Sequence, residues 1–119
     1  MSEVKAVTES LEIAHELTAF QQNILVILSE EPRYGLAIKR ELESYYDSEV
    51  NHGRLYPNLD DLVEMGLVEK SELDKRTNQY ALTEKGHEVV LEQLSWIFGK
   101  FIQTEERAGE LEDLIEAHR

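Results

Sequence analysis

Helical periodicities, then two short strand-like runs, then a further helical stretch predict a mainly α-helical fold carrying one small β-hairpin, a single domain in 119 residues. Three observations carry this prediction. Apolar residues recur at three- and four-residue intervals over most of the chain, the runs "LVEKSEL" and "NQYAL" flank the polar "DKRT", and Pro32, Gly66 and Thr83 punctuate the pattern where elements should end or begin.

Val4, Val7, Leu11 and Ala14 share a helical face and predict an N-terminal helix. Thr18 with Gln21 makes a capping box that opens the next helix, on which Phe20, Ile24, Ile27 and Leu28 form an apolar stripe before Pro32. "RYGLAIKRELESYY" suits a third, amphipathic helix with Ile38, Leu42 and Tyr45 facing inward and Lys39, Arg40 and Glu43 outward. After the polar turn "DSEVN", Asn51 can cap a fourth helix whose Leu55, Leu59 and Leu62 face the core, with Gly66 just past its end. Its outer face carries Asn51, Arg54, Asn58 and Asp61.

The hairpin follows, and Thr83 caps a long final helix. There Val90, Leu94, Ile97 and Phe101 repeat at helical spacing, Trp96 and Phe98 widen the stripe, and Leu111, Leu114 and Ile115 continue it past Gly109. That is more apolar surface than one small domain can cover, so these residues are expected to form a dimer interface; a ligand pocket lined by Trp96, Phe98 and Phe101 is the competing use. The element order is that of a winged helix-turn-helix. It divides the chain into an N-terminal helix over 1–17 that joins the dimer layer, a DNA-binding unit over 18–86 and a dimerisation helix over 87–119.

Charge sets a puzzle against this fold. The chain holds 25 acidic and 12 basic residues for a net charge of −13, whereas phosphate neutralisation by Lys and Arg supplies most non-specific affinity for nucleic acid. Distribution eases the conflict: residues 33–82 hold seven basic against ten acidic side chains, and the flanks hold five against fifteen. Acid spread through every helix, instead of gathered in a tail, suits a surface adapted to concentrated salt, where self-repulsion is screened.

The chain has no cysteine, hence no disulfide framework, thiolate metal site or thiol switch. The N-terminus lacks a basic region followed by an apolar run, and "ILVIL" is far shorter than the ~20 residues a membrane span needs, so a cytoplasmic protein without membrane contact is expected. His15, His87 and His118 are far apart and no zinc-ligand spacing occurs; no phosphate loop, cysteine nucleophile or serine elbow supports an enzyme. No cofactor is expected beyond bound K+ or other salt ions.

The stretch "HGRLYPNLDDLVEMGLVEK" followed by "NQYALTEKGHEVV" resembles the PadR-like family of winged-helix transcriptional regulators. The resemblance rests on Gly53, Leu55, Tyr56, Pro57, Leu59, Leu62, Gly66, Leu67 and Val68, then Tyr80, Leu82, Thr83 and Gly86, with "YGLAIKREL" upstream similar to the family's Tyr-Gly helix. It covers roughly residues 18–90, and both halves occur in order. The acidity and the N-terminal helix are similar to haloarchaeal members, an oxidative-stress regulator among them. The resemblance implies a homodimer built through the C-terminal helix and bound to double-stranded operator DNA, and leaves any small-molecule effector open.

Within that frame Asn51, His52, Arg54 and Asn58 occupy the first turns of the recognition helix, where side chains meet base edges. Asp60, Asp61 and Glu64 come later and can point away from the groove. Lys70, Lys75 and Arg76 are the wing's candidates for the adjacent backbone, and Arg33, Lys39 and Arg40 are candidate phosphate clamps. Each has a rival role: a solvated turn for the wing, and a helix-face ion pair, such as Lys39 with Glu43, for the clamps. Tyr56 and Pro57 are read as structural, the proline setting the helix angle against Gly53 four residues back. A protein-binding winged helix that touches no DNA is the alternative.

Overall fold

The computed structural model describes residues 16–74 and 77–119. Its elements run α1 (Ala19–Glu30), β1 (Arg33–Tyr34), α2 (Gly35–Tyr46), α3 (His52–Glu64), β2 (Val68–Glu72), β3 (Asn78–Leu82), α4 (Glu84–Phe101) and α5 (Glu105–Ala117). The strands form one antiparallel sheet in the order β1-β3-β2, with Arg33 opposite Tyr80 on one side and Lys70 opposite the same Tyr80 on the other. This is a winged helix: a helical trio with a hairpin on its flank, mainly α as expected. The expected N-terminal helix over 1–17 falls almost wholly outside the described residues.

The capping box forms as the spacing requires. Thr18 Oγ1 accepts the Gln21 N–H and Gln21 Oε1 accepts the Thr18 N–H, both at 3.1 Å, which satisfies two otherwise orphaned donors at the start of α1. Phe20, Ile24, Leu25 and Leu28 then face inward and meet Ile38 and Leu42 of α2 and Leu55, Leu59 and Leu62 of α3. Each fully buried leucine of α3 contributes about 2 kcal/mol by removal from water. Leu67, Val68, Tyr80, Val89 and Val90 close the core from the hairpin side.

Two expectations are corrected. Tyr45 is 71% exposed, and Tyr46 is the residue that turns inward, its ring stacked 6.1 Å from that of Phe20 and its hydroxyl accepting from Asn23 Nδ2 at 2.8 Å. The 3.6-residue period carries the stripe from Ile38 and Leu42 to position 46, one step past 45. The C-terminal stripe, expected in one long helix, is carried by two. Thr104 breaks the run, its Oγ1 accepting the Arg107 N–H at 3.2 Å to start α5, while Gln103 Nε2 donates to the Gly99 and Lys100 carbonyls at 3.0 and 3.2 Å and caps the end of α4.

The end of α3, the hairpin base and the start of α4 are locked together. Thr83 Oγ1 donates to the Gly66 carbonyl at 2.7 Å while accepting the Gly86 N–H at 3.0 Å, and Lys85 Nζ donates to the Met65 carbonyl at 3.2 Å. Gly66 makes the chain reversal at φ +80°, a conformation that side chains disfavour. A Cβ on Gly86 would collide with the Leu67 carbonyl oxygen, so only glycine permits α4 to start this close to the hairpin. The wing is thereby held at a fixed angle to α3.

Candidate nucleic-acid interface

The turn between α2 and α3 orders the start of α3. Asp47 takes the left-handed conformation (φ 52°, ψ 41°), its N–H returning to the Glu43 carbonyl, and Val50 is buried beneath the turn. The Glu43 carboxylate accepts the Val50 N–H at 2.9 Å and pairs with Lys39 Nζ at 3.3 Å. That backbone hydrogen bond, together with Lys39 and Arg40, holds its pKa below the ordinary carboxylate range against the opposing effect of burial. Asn51 Oδ1 then caps α3 by accepting the Arg54 N–H at 3.0 Å.

The first turns of α3 are exposed, but their side chains are partly committed. His52 is exposed and stacks on Tyr56, ring centroids 5.5 Å apart. Arg54 lays its guanidinium over the Phe20 ring at 4.0 Å from the centroid, with Tyr46 at 6.0 Å. Asn58 Nδ2 donates to the Arg54 carbonyl at 2.7 Å, a bond within its own helix. Gly53 faces open space, its virtual Cβ meeting only Asn51 Oδ1 at 3.5 Å, so no packing requires glycine there. The arrangement leaves His52, the bare backbone at Gly53 and the outer edge of Asn51 as the surface available to a partner.

The clamp candidates separate into two groups. Arg33 is bound by Glu30 at 2.7 Å, Glu41 at 3.7 Å and Glu31 at 3.8 Å, and its side chain is mostly buried. Lys39 is committed to Glu43. Both rival ion-pair roles are thus realised in the folded chain. Arg40 and Lys70 are exposed and make no ion pair with another described residue. Lys75 and Arg76 lie outside the described residues.

One feature was not visible in the residue pattern. A cleft of about 520 Å³ opens between the N-terminus of α2, Tyr56 of α3 and β3, lined by Gly35, Arg40, Tyr56, Asn78 and Tyr80 among others. Gly35 has no side chain because the Tyr56 ring and hydroxyl occupy the place a Cβ would take, 2.8 Å from the hydroxyl. The two-residue strand β1 that carries the chain into this cleft is too short to show an alternating pattern; the Tyr-Gly pair at its end is the only sequence signal.

The apolar stripe of α4 and α5 is uncovered. Val90 is buried against α1, but Leu94, Ile97, Phe101, Leu114 and Ile115 are exposed, Trp96 is 62% exposed, and α5 buries none of its residues. Leu111 is half-buried. Among the described residues no group of three His, Asp or Glu side chains could hold a metal ion, and no helix is long and apolar enough to cross a membrane.

Comparison with known proteins agrees with this architecture. Residues 24–92 match the transcriptional regulator PadR-like family. The chain is similar to a structure of H. salinarum RosR grown from NaBr, with 62% identity over 88% of this chain and 96% of that one and a TM-score of 0.86. It is similar also to the hsRosR-S4 complex, with 58% identity over 95% of each chain and a TM-score of 0.88. F93 from STIV, a winged-helix DNA-binding protein, shares the fold at 17% identity over 72% of this chain and 92% of that one, TM-score 0.56. No curated protein sequence matches the chain. With its family match spanning more than half its length, the chain belongs to the PadR-like family of transcriptional regulators and is not an enzyme.

Proposed function

We propose that the chain is a sequence-specific regulator that binds double-stranded operator DNA as a homodimer in the cytoplasm, at high salt. The observation that carries this reading is the start of α3, capped by Asn51, exposed at His52 and Gly53, and flanked by a hairpin locked to the same helix. A helix N-terminus presents free N–H groups and partial positive charge, so this end can enter a major groove while Asp60, Asp61 and Glu64 lie further along. His52, Arg54, Asn51 and Asn58 face the bases, with Arg54 and Asn58 first released from their contacts within the protein; Lys70, Lys75, Arg76 and Arg40 meet the backbone.

Residues 18–86 are the DNA-binding unit, and 1–17 with 87–119 form the dimer layer. The reading is supported by the exposed stripe of Leu94, Ile97, Phe101 and Leu114, which a second copy would cover while placing two α3 helices about 34 Å apart. Acid on every helix suits concentrated salt, where affinity rests on hydrogen bonds, shape and displaced water more than on counterion release.

The test is fluorescence anisotropy against the DNA upstream of the chain's own gene, in molar KCl with unrelated DNA as control. Selective binding that His52→Ala weakens supports the reading. Equal, weak association with both DNAs at every salt concentration, repeated for other promoters, overturns it in favour of a protein-binding winged helix.

A further inference from the structure

Glycine at position 53 answers to nothing inside the chain. Its backbone is right-handed helix, one residue inside α3, without the positive φ that Gly66 takes. An added Cβ would meet only Asn51 Oδ1 at 3.5 Å, ordinary van der Waals contact, and the Pro57 ring stays clear of it. Alanine would suit the helix better. What the missing side chain exposes is a bare strip of backbone at the front of α3.

Pro57 adds a second peculiarity at the same place. In an α-helix the carbonyl of one residue accepts from the N–H four residues on, and position 57 has no N–H to give. The Gly53 carbonyl is left without its regular donor, and the proline ring crowds it off the helix axis. At about 100° per residue Gly53, Pro57, Asp60 and Glu64 share the face opposite the buried Leu55, Leu59 and Leu62, and all four are exposed. Proline and two carboxylates bring no donor to that face. The nearby Asn58 amide is given to the Arg54 carbonyl at 2.7 Å, and the Arg54 guanidinium lies over Phe20.

We propose that Gly53 determines specificity through its main chain: its carbonyl accepts a hydrogen bond from the exocyclic amino group of an adenine or cytosine in the major groove, and the absent Cβ lets the backbone come close enough. The inference rests on the regulator reading above. In that groove the only base donors are the adenine N6 and cytosine N4 amines, whereas guanine and thymine present acceptors, so a backbone carbonyl discriminates between the two pairs. A methyl at position 53 would hold the helix away from the base edge without disturbing the fold.

The test uses duplexes that the intact wild-type chain selects from a random-sequence pool in molar KCl. Each adenine of a selected duplex is replaced in turn by purine, and each cytosine by 2-pyrimidinone, which removes the amino group alone, and binding is followed by fluorescence anisotropy. Wild type is expected to lose about tenfold for one replacement in each half-site, and the base concerned tells adenine from cytosine. Pro57→Ala returns an N–H to position 57 and satisfies the carbonyl; it should melt at or above wild type and bind the natural and replaced duplexes alike. Gly53→Ala should also melt at or above wild type, bind the selected duplex about tenfold more weakly and ignore the replacement, so it carries the comparison if Pro57→Ala does not fold. The proposal is overturned, with the regulator reading untouched, if wild type is indifferent to every replacement, if Pro57→Ala remains as sensitive as wild type, or if Gly53→Ala binds as tightly as wild type. A wild-type chain that selects no sequence sinks the regulator reading and this inference with it.

Discussion

The guanidinium of Arg54 lies 4.0 Å from the centroid of the Phe20 ring, so the arginine at the start of α3 rests on the edge of the core. Phe20 is only 4% exposed, and Arg54 is part of what covers it. Arg54→Ala is expected to lower stability by about 1 kcal/mol, the usual worth of such a contact at a partly exposed position. Thermal unfolding checks this. Arg54→Met keeps an apolar stem over the ring and is expected to recover part of the melting temperature without recovering discrimination between operator and unrelated DNA. If methionine restores both, Arg54 serves packing alone.

Gly86 tests how tightly the wing is tied to α3. Its missing Cβ is where the Leu67 carbonyl oxygen sits, and a backbone oxygen cannot swing aside. Gly86→Ala is expected to cost about 3 kcal/mol despite alanine's better helix propensity. Gly35→Ala meets instead the far end of the Tyr56 side chain, which can rotate. Denaturant unfolding should therefore show a small loss at position 35 and a large one at 86; equal losses would contradict the packing described.

Glu43 makes the α2–α3 turn sensitive to acid. Its folded pKa is depressed by the Val50 N–H first and by Lys39 and Arg40 after it. A depressed carboxylate contributes stability that is present above its unfolded pKa and is lost as pH falls through the folded value. Glu43→Gln should thus melt below wild type at neutral pH, and the gap should close as pH drops below the ordinary carboxylate range. A gap independent of pH would mean that the charge is not what holds the turn.

The exposed stripe predicts an assembly state. Ile97→Glu is expected to leave the fold intact, since that position is 45% exposed, but to convert a dimer to monomer in sedimentation equilibrium. Val90→Glu, by contrast, places a charge where the side chain is buried and should unfold the chain. A wild-type chain that is monomeric at high micromolar concentration would refute the proposed interface.

Salt dependence separates this surface from that of a basic regulator. With a net charge of −13, few cations are available to release counterions from DNA. The slope of log affinity against log salt is expected to be shallow up to molar KCl; a steep negative slope would show that phosphate neutralisation dominates after all.

Much of the architecture was legible because it follows from short-range rules. Thr18 with Gln21, Asn51 and Thr83 each announced a helix start, and Leu55, Leu59 and Leu62 announced a buried face. Tyr45 and Tyr46 are adjacent and fit the stripe nearly equally until the period is followed through Leu42, which places Tyr46 against the core. The break at Thr104 was also written in the chain, as a capping residue followed by Glu105 and Glu106, but the apolar repeat on either side masked it. The clamps were harder. Arg33, Lys39 and Arg40 look alike as sequence, and only the fold reveals that three carboxylates hold the first, one holds the second and none among the described residues pairs with the third. The cleft depends on Tyr34, Tyr56 and Tyr80 meeting from three elements, a coincidence of tertiary structure that no local spacing encodes.

The interruption at Ile102–Thr104 turns what would be a rod into two levers with a joint between them. A rod transmits any twist of the DNA-binding unit straight to its far end, whereas a joint lets α5 keep its seat while α4 swings. In the proposed dimer, the distance between two α3 helices would then depend on three residues that lie outside the buried core. Changes confined to Ile102, Gln103 and Thr104 would then be a route by which such a dimer meets differently spaced half-sites.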